Sequence, residues 1–215
     1  MTRRTRVETA ALGCLAVLLL ALGAALRPWV TADDRPAPPV LTSTEIGFVQ
    51  DMVAHHNQAL LMVQRLDTGV DPTVRALAQQ ISDTQHTEIG MLLGWLRMAA
   101  AVTINPRPMA WMHTGQPGTA DHHHTAPTTS AAATTSTAMP GMATRAELDA
   151  LAAARGADAE SLFLKLMRRH HLGGIQMAQA ADRQLSSGIV EQAARDMLDT
   201  QSREVGLMGL LLSRS

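Results

Sequence analysis

Two adjacent histidines in the segment DMVAHHNQALLM, residues 51–62, are the first side chains that could do chemistry. His55 and His56 lie in a stretch whose apolar residues recur at the spacing of one helix face. Met52 stands about one turn before the pair, and Met62 about two turns after it. Thioether and imidazole groups are soft to borderline metal ligands and suit copper, as Cu(I) or Cu(II). Methionine is also a flexible core filler, so the stripe alone is more typical of packing than of a ligand set.

The pattern recurs in the second half of the chain. At a constant offset of 115 residues, the counterparts of Phe48, Met52, His55, His56 and Met62 are Phe163, Met167, His170, His171 and Met177. The helices that follow also match, because DTQxxE at residues 83–88 recurs at residues 199–204. A duplication copies structure as readily as function, so the repeat predicts a fold before it predicts a site.

Two repeated helical hairpins predict an all-α fold, a four-helix bundle over residues 44–212. Hydrophobic residues make up 46% of the chain but aromatic residues only 2%, so aliphatic side chains and methionine must fill the core. That composition suits helices better than a sheet. The apolar stripes of the partner helices place Glu88 and Glu204 inward. We expect these carboxylates to accept hydrogen bonds from the imidazoles and so to orient the rings without binding the metal themselves.

Residues 103–143 interrupt the bundle with a stretch rich in Pro, Thr, Ala, His and Met, which predicts a disordered linker. Its Met and His side chains are Met109, Met112, His113, His122, His123, His124, Met139 and Met142. We expect no core packing for residues in such a loop, so they indicate looser capture of soft metal ions. Hard ions such as calcium prefer carboxylates, which this linker nearly lacks.

The N-terminal residues 1–30 start with MTRRTR and continue with an apolar run from Ala10 to Leu26. This pattern predicts an export signal or a transmembrane anchor, and we favour the uncleaved anchor. The positive-inside rule then predicts a single-pass protein of the cell membrane with its domain outside the cytoplasm, or a secreted protein if cleavage occurs. Residues 31–43 contain three prolines and predict an extended tether. Cys14 is the only cysteine, so the exported part has no thiolate ligand.

Charge and motifs argue against two functional classes. The formal net charge is −1, which gives no basis for binding nucleic acid. The exported part lacks cysteine and a Gly-x-Ser-x-Gly elbow, so nucleophilic catalysis has no support and we expect no enzyme activity. The expected partners are a metal ion and, through the N-terminal helix, the membrane. The sequence is also compatible with a homodimer.

Four segments together resemble the bacterial domain of unknown function family 305: DMVAHHNQALLM, TQHTEIGMLLGW, MPGM before a helix, and FLKLMRRHHLGGIQMA. The resemblance covers roughly residues 44–212. It implies an exported, ferritin-like four-helix domain, and it implies copper binding because some members are associated with periplasmic copper. The implied ligands are Met52, His55, His56, Met62, Met167, His170, His171 and Met177.

The two halves also differ. His86 has no counterpart, because Ser202 takes its place, and Arg168 and Arg169 replace neutral residues of the first half. A basic pair beside His170 disfavours a cation there unless both arginines point to solvent.

Three functions remain open from the sequence. The leading hypothesis is an exported, membrane-tethered protein that buffers or carries copper without turnover. The alternative is a structural or interaction module whose His/Glu core only fixes packing. The third is a ferritin-like di-iron oxidase, for which the Glu-x-x-His set is missing and only Glu88 and Glu204 could bridge metals.

Overall fold

The computed structural model describes residues 15–24, 39–113 and 139–214, in which helices are the only regular elements. The chain divides into two units, Met1–Pro38 and Pro39–Ser215. In the first, residues 15–24 are helical with exposed side chains. No helix in the described ranges combines the length and apolar character needed to cross a membrane. The rest of the predicted anchor, and the tether up to residue 38, lie outside the described residues.

The described residues of the second unit form five α-helices and one 3₁₀ turn. They are α1 (Ser43–Arg65), α2 (Pro72–Met98), the 3₁₀ turn (Ala110–His113), α3 (Arg145–Ala153), α4 (Gly156–Gln184) and α5 (Ile189–Leu212). Helices α1 and α2 form one hairpin, and α4 and α5 form the other. The hairpins pack together through α1 and α4, and α2 and α5 are not a closely packed pair. The prediction of an all-α fold is confirmed for the described residues.

Local sequence signals set the helix starts. Thr42 caps α1 in a capping box: its hydroxyl accepts from the Glu45 N–H at 3.3 Å, and the Glu45 carboxylate accepts from the Thr42 N–H at 2.7 Å. Thr144 and Glu147 repeat this arrangement at α3. Asp71 caps α2, with proline at the first helical position. These caps determine where the helices begin, and packing between helices determines which face of each helix is buried.

The interior of the second unit consists of two apolar clusters. Core cluster 1 joins the start of α1 to the end of α4 and contains, among others, Phe48, Met52 and Met177. Core cluster 2 joins the end of α1 to the first half of α4 and contains, among others, Met62, Phe163 and Met167. Since the start of one helix lies against the end of the other, α1 and α4 are antiparallel. The paired histidines of both helices therefore fall between the two clusters.

The two ends of the predicted linker, residues 103–143, are ordered in the structure rather than disordered. Near its start, Met109 and Trp111 are buried in core cluster 1, and Met112 packs against it. The Trp111 ring lies edge to face on Phe48 at a centroid distance of 5.4 Å. Burial of these side chains offsets the entropy of ordering a Pro-rich segment, which composition alone did not reveal. Residues 139–143 are also ordered against the helices, and residues 114–138 lie outside the described residues.

Candidate metal centre

A layer of buried polar side chains lies between core clusters 1 and 2, and we call it the histidine layer. Its members are His55, His56, His170, His171, Gln85, Gln201, Glu88 and Glu204. All are buried except Glu88, whose side chain keeps 15% of its exposure. Polar groups in a dry interior are costly unless each finds a hydrogen-bond partner or a ligand. The pairing of each imidazole therefore decides what the layer can do.

The His55 imidazole points one nitrogen at the chain that follows the linker. Its Nε2 lies 3.1 Å from the Pro140 carbonyl oxygen, which can only accept, so Nε2 carries the proton. Burial, with a smaller contribution from the neighbouring His56, lowers the pKa of His55 to about 3. The ring is therefore neutral at pH 7, and its buried Nδ1 is a bare acceptor with no hydrogen-bond partner.

The His170 imidazole has the same character. Its Nε2 donates to the carbonyl oxygen of His55 at 3.0 Å, and its buried Nδ1 has no partner. Burial, followed by the proximity of His55, holds the pKa of His170 well below its usual value. The two rings stack with centroids 3.8 Å apart and an interplanar angle of 28°. Neutral rings make this stack possible, since two imidazolium ions at that distance would repel.

The other two imidazoles face the inward glutamates that the helix stripes predict. His171 Nε2 forms a hydrogen bond of 2.7 Å with Glu204. His56 Nε2 lies 2.6 Å from the Glu88 carboxylate, but this contact lacks hydrogen-bond alignment, and both atoms are buried without a hydrogen-bond partner. The Nδ1 atoms of both rings are also unpaired.

All four imidazoles thus share one arrangement, in which Nε2 faces an oxygen and Nδ1 faces no donor from residues 15–24, 39–113 or 139–214. Metal-ligating histidines have this arrangement, because an acceptor on one nitrogen fixes the ring while the other nitrogen binds the ion. Four buried ring nitrogens without a partner in the described part of the chain cost free energy unless a ligand pairs with them. A cation supplies the electron-pair acceptor that they lack, so these residues fit a metal.

The ligand set limits which metals fit. In residues 39–113 and 139–214, as in the short N-terminal helix, no three His, Cys, Asp or Glu side chains lie close enough to hold an ion together. A centre in the histidine layer would therefore need methionine sulfur. The buried methionines flank the layer, with Met52 and Met177 in core cluster 1 and Met62 and Met167 in core cluster 2. Thioether with one or two imidazoles favours Cu(I) over zinc or calcium.

The MPGM segment, residues 139–142, lies against the stacked histidines. Besides the contact from His55 to Pro140, Gln58 forms two hydrogen bonds with the backbone of Ala143, at 2.9 and 2.6 Å. A Cβ on Gly173 would clash with the Pro140 carbonyl, so only glycine permits this close approach. Residues Met139 and Met142 are consequently half-buried beside the layer rather than loose in a linker.

The structure distributes the remaining predicted ligands differently. Met109 and Met112 pack on core cluster 1, and the expectation that no packing requires linker residues is wrong for them. The side chain of His113 and the residues His122, His123 and His124 lie outside the described residues. The predicted capture of ions by those histidines stays a prediction.

Two features of the site were not anticipated from the sequence. Pro140 accepts a hydrogen bond from His55, and Gln58 holds the backbone three residues after Pro140. In the sequence, the only signals of these contacts are the MPGM motif and a polar residue three positions after His55. Asp51 is buried and accepts from the Met109 N–H at 2.7 Å and from the Trp111 indole N–H at 2.9 Å. Burial raises the pKa of Asp51, while these hydrogen bonds oppose the rise. The only sequence signal of this contact is that Asp51 is an acidic residue within an apolar stripe.

The basic pair beside His170 points away from the layer. Arg168 and Arg169 are exposed, and Arg169 forms an ion pair of 2.7 Å with Glu147. Hydrogen bonding to Arg169 lowers the pKa of Glu147 to about 2. The arginines therefore satisfy the condition under which a cation at His170 is allowed.

Comparison with known proteins supports the family resemblance. The profile of DUF305, a domain of unknown function, matches residues 45–212. A DUF305 protein of Streptomyces coelicolor, named as a candidate secreted protein, is 34% identical with a TM-score of 0.66, and the match covers 80% of this chain and 92% of that one. A DUF305 fragment of Deinococcus radiodurans is 28% identical with a TM-score of 0.64, over 83% and 100% of the two chains.

A third solved structure shares the fold at lower identity. It is CopM in its Cu(II)-bound form, which is 20% identical with a TM-score of 0.53, over 79% of this chain and 96% of that one. No curated protein is significantly similar to the chain. The profile match over most of the residues and the identity to the Streptomyces protein agree. The chain belongs to the DUF305 family.

Proposed function

We propose that this protein is an exported metal-binding protein that buffers or carries copper through Met and His ligands, without catalytic turnover. One observation carries the proposal: four buried imidazoles each have Nε2 against an oxygen and Nδ1 without a partner among the residues that the structure describes. A layer built only for packing would leave few bare acceptors, because each lowers the stability of the fold.

The ligands we propose come from the two repeated motifs. They are Met52, His55, His56, Met62, Met167, His170, His171 and Met177, with Met139 and Met142 beside them. The carboxylates of Glu88 and Glu204 contact Nε2 of His56 and His171 and so orient these rings. Bound copper would supply the soft Lewis acid that pairs with imidazole nitrogen and thioether sulfur.

The proposal also includes the arrangement of the helices and the cellular location of the domain. The two hairpins are proposed to form a ferritin-like four-helix bundle, and residues 1–30 to export the domain and hold it at the membrane. The candidate secreted status of the Streptomyces protein supports a place outside the cytoplasm. The Cu(II)-bound form of CopM, which shares the fold, supports the choice of copper.

Isothermal titration of the full chain with Cu(I) and with Cu(II) tests the proposal. We expect a Kd below about 1 µM, a binding free energy beyond roughly 8 kcal/mol, for at least one oxidation state. The His55→Gln/His170→Gln variant should lose this binding. His86→Gln is the matched control, because His86 is exposed and contacts only its own helix through Ser82. Binding weaker than micromolar for both ions would contradict the proposal.

One observation favours the structural alternative. The bonds from His170 to the His55 carbonyl and from His171 to Glu204 link α4 to α1 and to α5, as a register-fixing network would. Such a network predicts equal loss of stability with and without metal when the histidines are replaced. Metal binding instead predicts a metal-dependent rise in Tm that the variant loses. A di-iron oxidase is disfavoured, because the described residues hold no cluster of three His, Asp or Glu side chains.

A further inference from the structure

A groove of about 660 Å³ separates the two outer helices, α2 and α5. Its wall is largely apolar and includes Met91, Trp95 and Met197. Among the described residues, its lining also includes three carboxylates, Asp83, Glu88 and Asp196, and no lysine or arginine. A cleft with charges of one sign and apolar walls concentrates the opposite charge, so this groove attracts cations.

The three carboxylates lie at different depths. Asp83 and Asp196 are exposed, whereas the Glu88 side chain keeps only 15% of its exposure. Beyond Glu88, at 2.6 Å from its carboxylate, lies Nε2 of the fully buried His56. A continuous line of polar groups therefore runs from solvent through Glu88 into the histidine layer.

His56 is the imidazole whose pairing is least complete. Neither of its ring nitrogens has a hydrogen-bond partner within the described ranges, and the contact of Nε2 with Glu88 is misaligned. In the other repeat, Glu204 keeps only 3% of its exposure and hydrogen-bonds to His171 at 2.7 Å. Glu88 and Glu204, which are equivalent by repeat, thus have different surroundings. Glu88 lines a groove that is open to solvent, and Glu204 does not.

We propose that this groove is the route by which a soft, singly charged cation such as Cu(I) reaches the histidine layer, with Glu88 as the last group it meets before His56. The route rests on the proposed function, since it presupposes that the layer takes up metal. Carboxylates are hard ligands that attract the ion by charge without retaining it against nitrogen and sulfur ligands. A second cavity of about 490 Å³, lined by Asn57 and Ile104 among others, touches no member of the layer.

The first test narrows the groove with a large side chain at an exposed position. Thr87 is exposed and lines the groove, so Thr87→Trp narrows it without touching the layer. Gln80→Trp places the same side chain at an exposed position of α2 that does not line the groove, and it is the matched control. The probe is Ag⁺, a singly charged soft ion, and the readout is its uptake rate by the full chain in stopped flow with a coloured competitor chelator. We expect Thr87→Trp to slow uptake at least tenfold at unchanged Kd, and Gln80→Trp to leave the rate unchanged.

The electrostatic test changes charge without changing size. Asp83→Asn should lower the uptake rate roughly threefold at low salt, an effect that disappears as salt screens the groove. Asp199→Asn is its control, because Asp199 is the repeat counterpart of Asp83, is also exposed and does not line the groove. Equal rates for the two variants at low salt would count against the route.

The outcomes separate the two proposals. If wild-type protein binds no Ag⁺ or copper at equilibrium, the proposed function itself fails. If wild type binds but Thr87→Trp loads as fast as Gln80→Trp, the function stands and the route is wrong. Circular dichroism melting establishes that each variant is folded, and Thr87→Phe replaces Thr87→Trp should the larger side chain prevent folding.

Discussion

The stacked pair of His55 and His170 predicts that mild acid destabilises this protein. Both rings stay neutral in the folded state, with the pKa of His55 lowered to about 3 and that of His170 well below its usual value. In the unfolded chain both have a pKa of about 6.5. Between that value and the folded pKa the unfolded state binds more protons, so stability falls as pH falls. The contribution is fully present above about pH 6.5 and is lost progressively below it.

The magnitude follows from protonation of the unfolded chain. At pH 5, an unfolded histidine with a pKa near 6.5 is stabilised by protonation by about 2 kcal/mol relative to pH 7. The folded state gains nothing, provided that its pKa lies below 5. Two such histidines predict a loss of about 4 kcal/mol from pH 7 to pH 5. Glu147, whose pKa is lowered to about 2, loses its stabilising contribution only at lower pH, from about 4.5 downward. Asp51 acts in the opposite direction, because burial raises its pKa.

Urea unfolding of the metal-free full chain, followed by helical circular dichroism at pH 7, 6 and 5, measures this loss. Replacing His55 or His170 by glutamine should each remove about half of the pH dependence, whatever its cost at pH 7. His86→Gln is the control and should retain the full dependence, since His86 is exposed. A loss below about 1 kcal/mol between pH 7 and pH 5 would refute the reasoning, and so would equal slopes for wild type and the double variant.

Three further predictions test the layer and its supports. Gly173→Ala should cost about 1–3 kcal/mol in urea unfolding, because its Cβ meets the rigid Pro140 carbonyl, whereas Gly90→Ala, in open space on α2, should be neutral or stabilising. Asp51→Asn should cost about 2 kcal/mol and shift Trp111 fluorescence, since an amide cannot accept from all the N–H donors that converge there; an unchanged spectrum would contradict this. Cu(I) at a hundredfold excess over Kd should raise Tm by about 5–10 °C, and the His55→Gln/His170→Gln variant should show no shift.

Periodicity in the sequence was sufficient to predict the helices and their duplication. The Met-x-x-His-His motif of α1 recurs in α4, and the inward Glu88 and Glu204 meet His56 and His171 as their stripes predict. These are local properties, because side chains three or four residues apart share a helix face in any tertiary context. The capping box at Thr144 was likewise visible from a four-residue pattern.

The ordered ends of the linker could not be predicted in this way. Composition around Met109 and Trp111 indicates disorder, yet Asp51 and the apolar surface of core cluster 1 hold both in place. The placement of Pro140 against His55 joins residues 85 positions apart, and no local pattern reports such a contact.

The sequence alone determined which groups this protein brings to its interior: four imidazoles, two carboxylates and the methionines around them, each on a predictable helix face. Only the tertiary structure decided their state. Antiparallel packing of α1 and α4 stacked His55 on His170, and burial made both neutral with unpaired Nδ1 atoms. It also gave Glu88 and Glu204, equivalent by repeat, different access to solvent. The physical reason is that periodicity sets the direction of a side chain, whereas burial, pKa and access depend on what other helices bring to the same point.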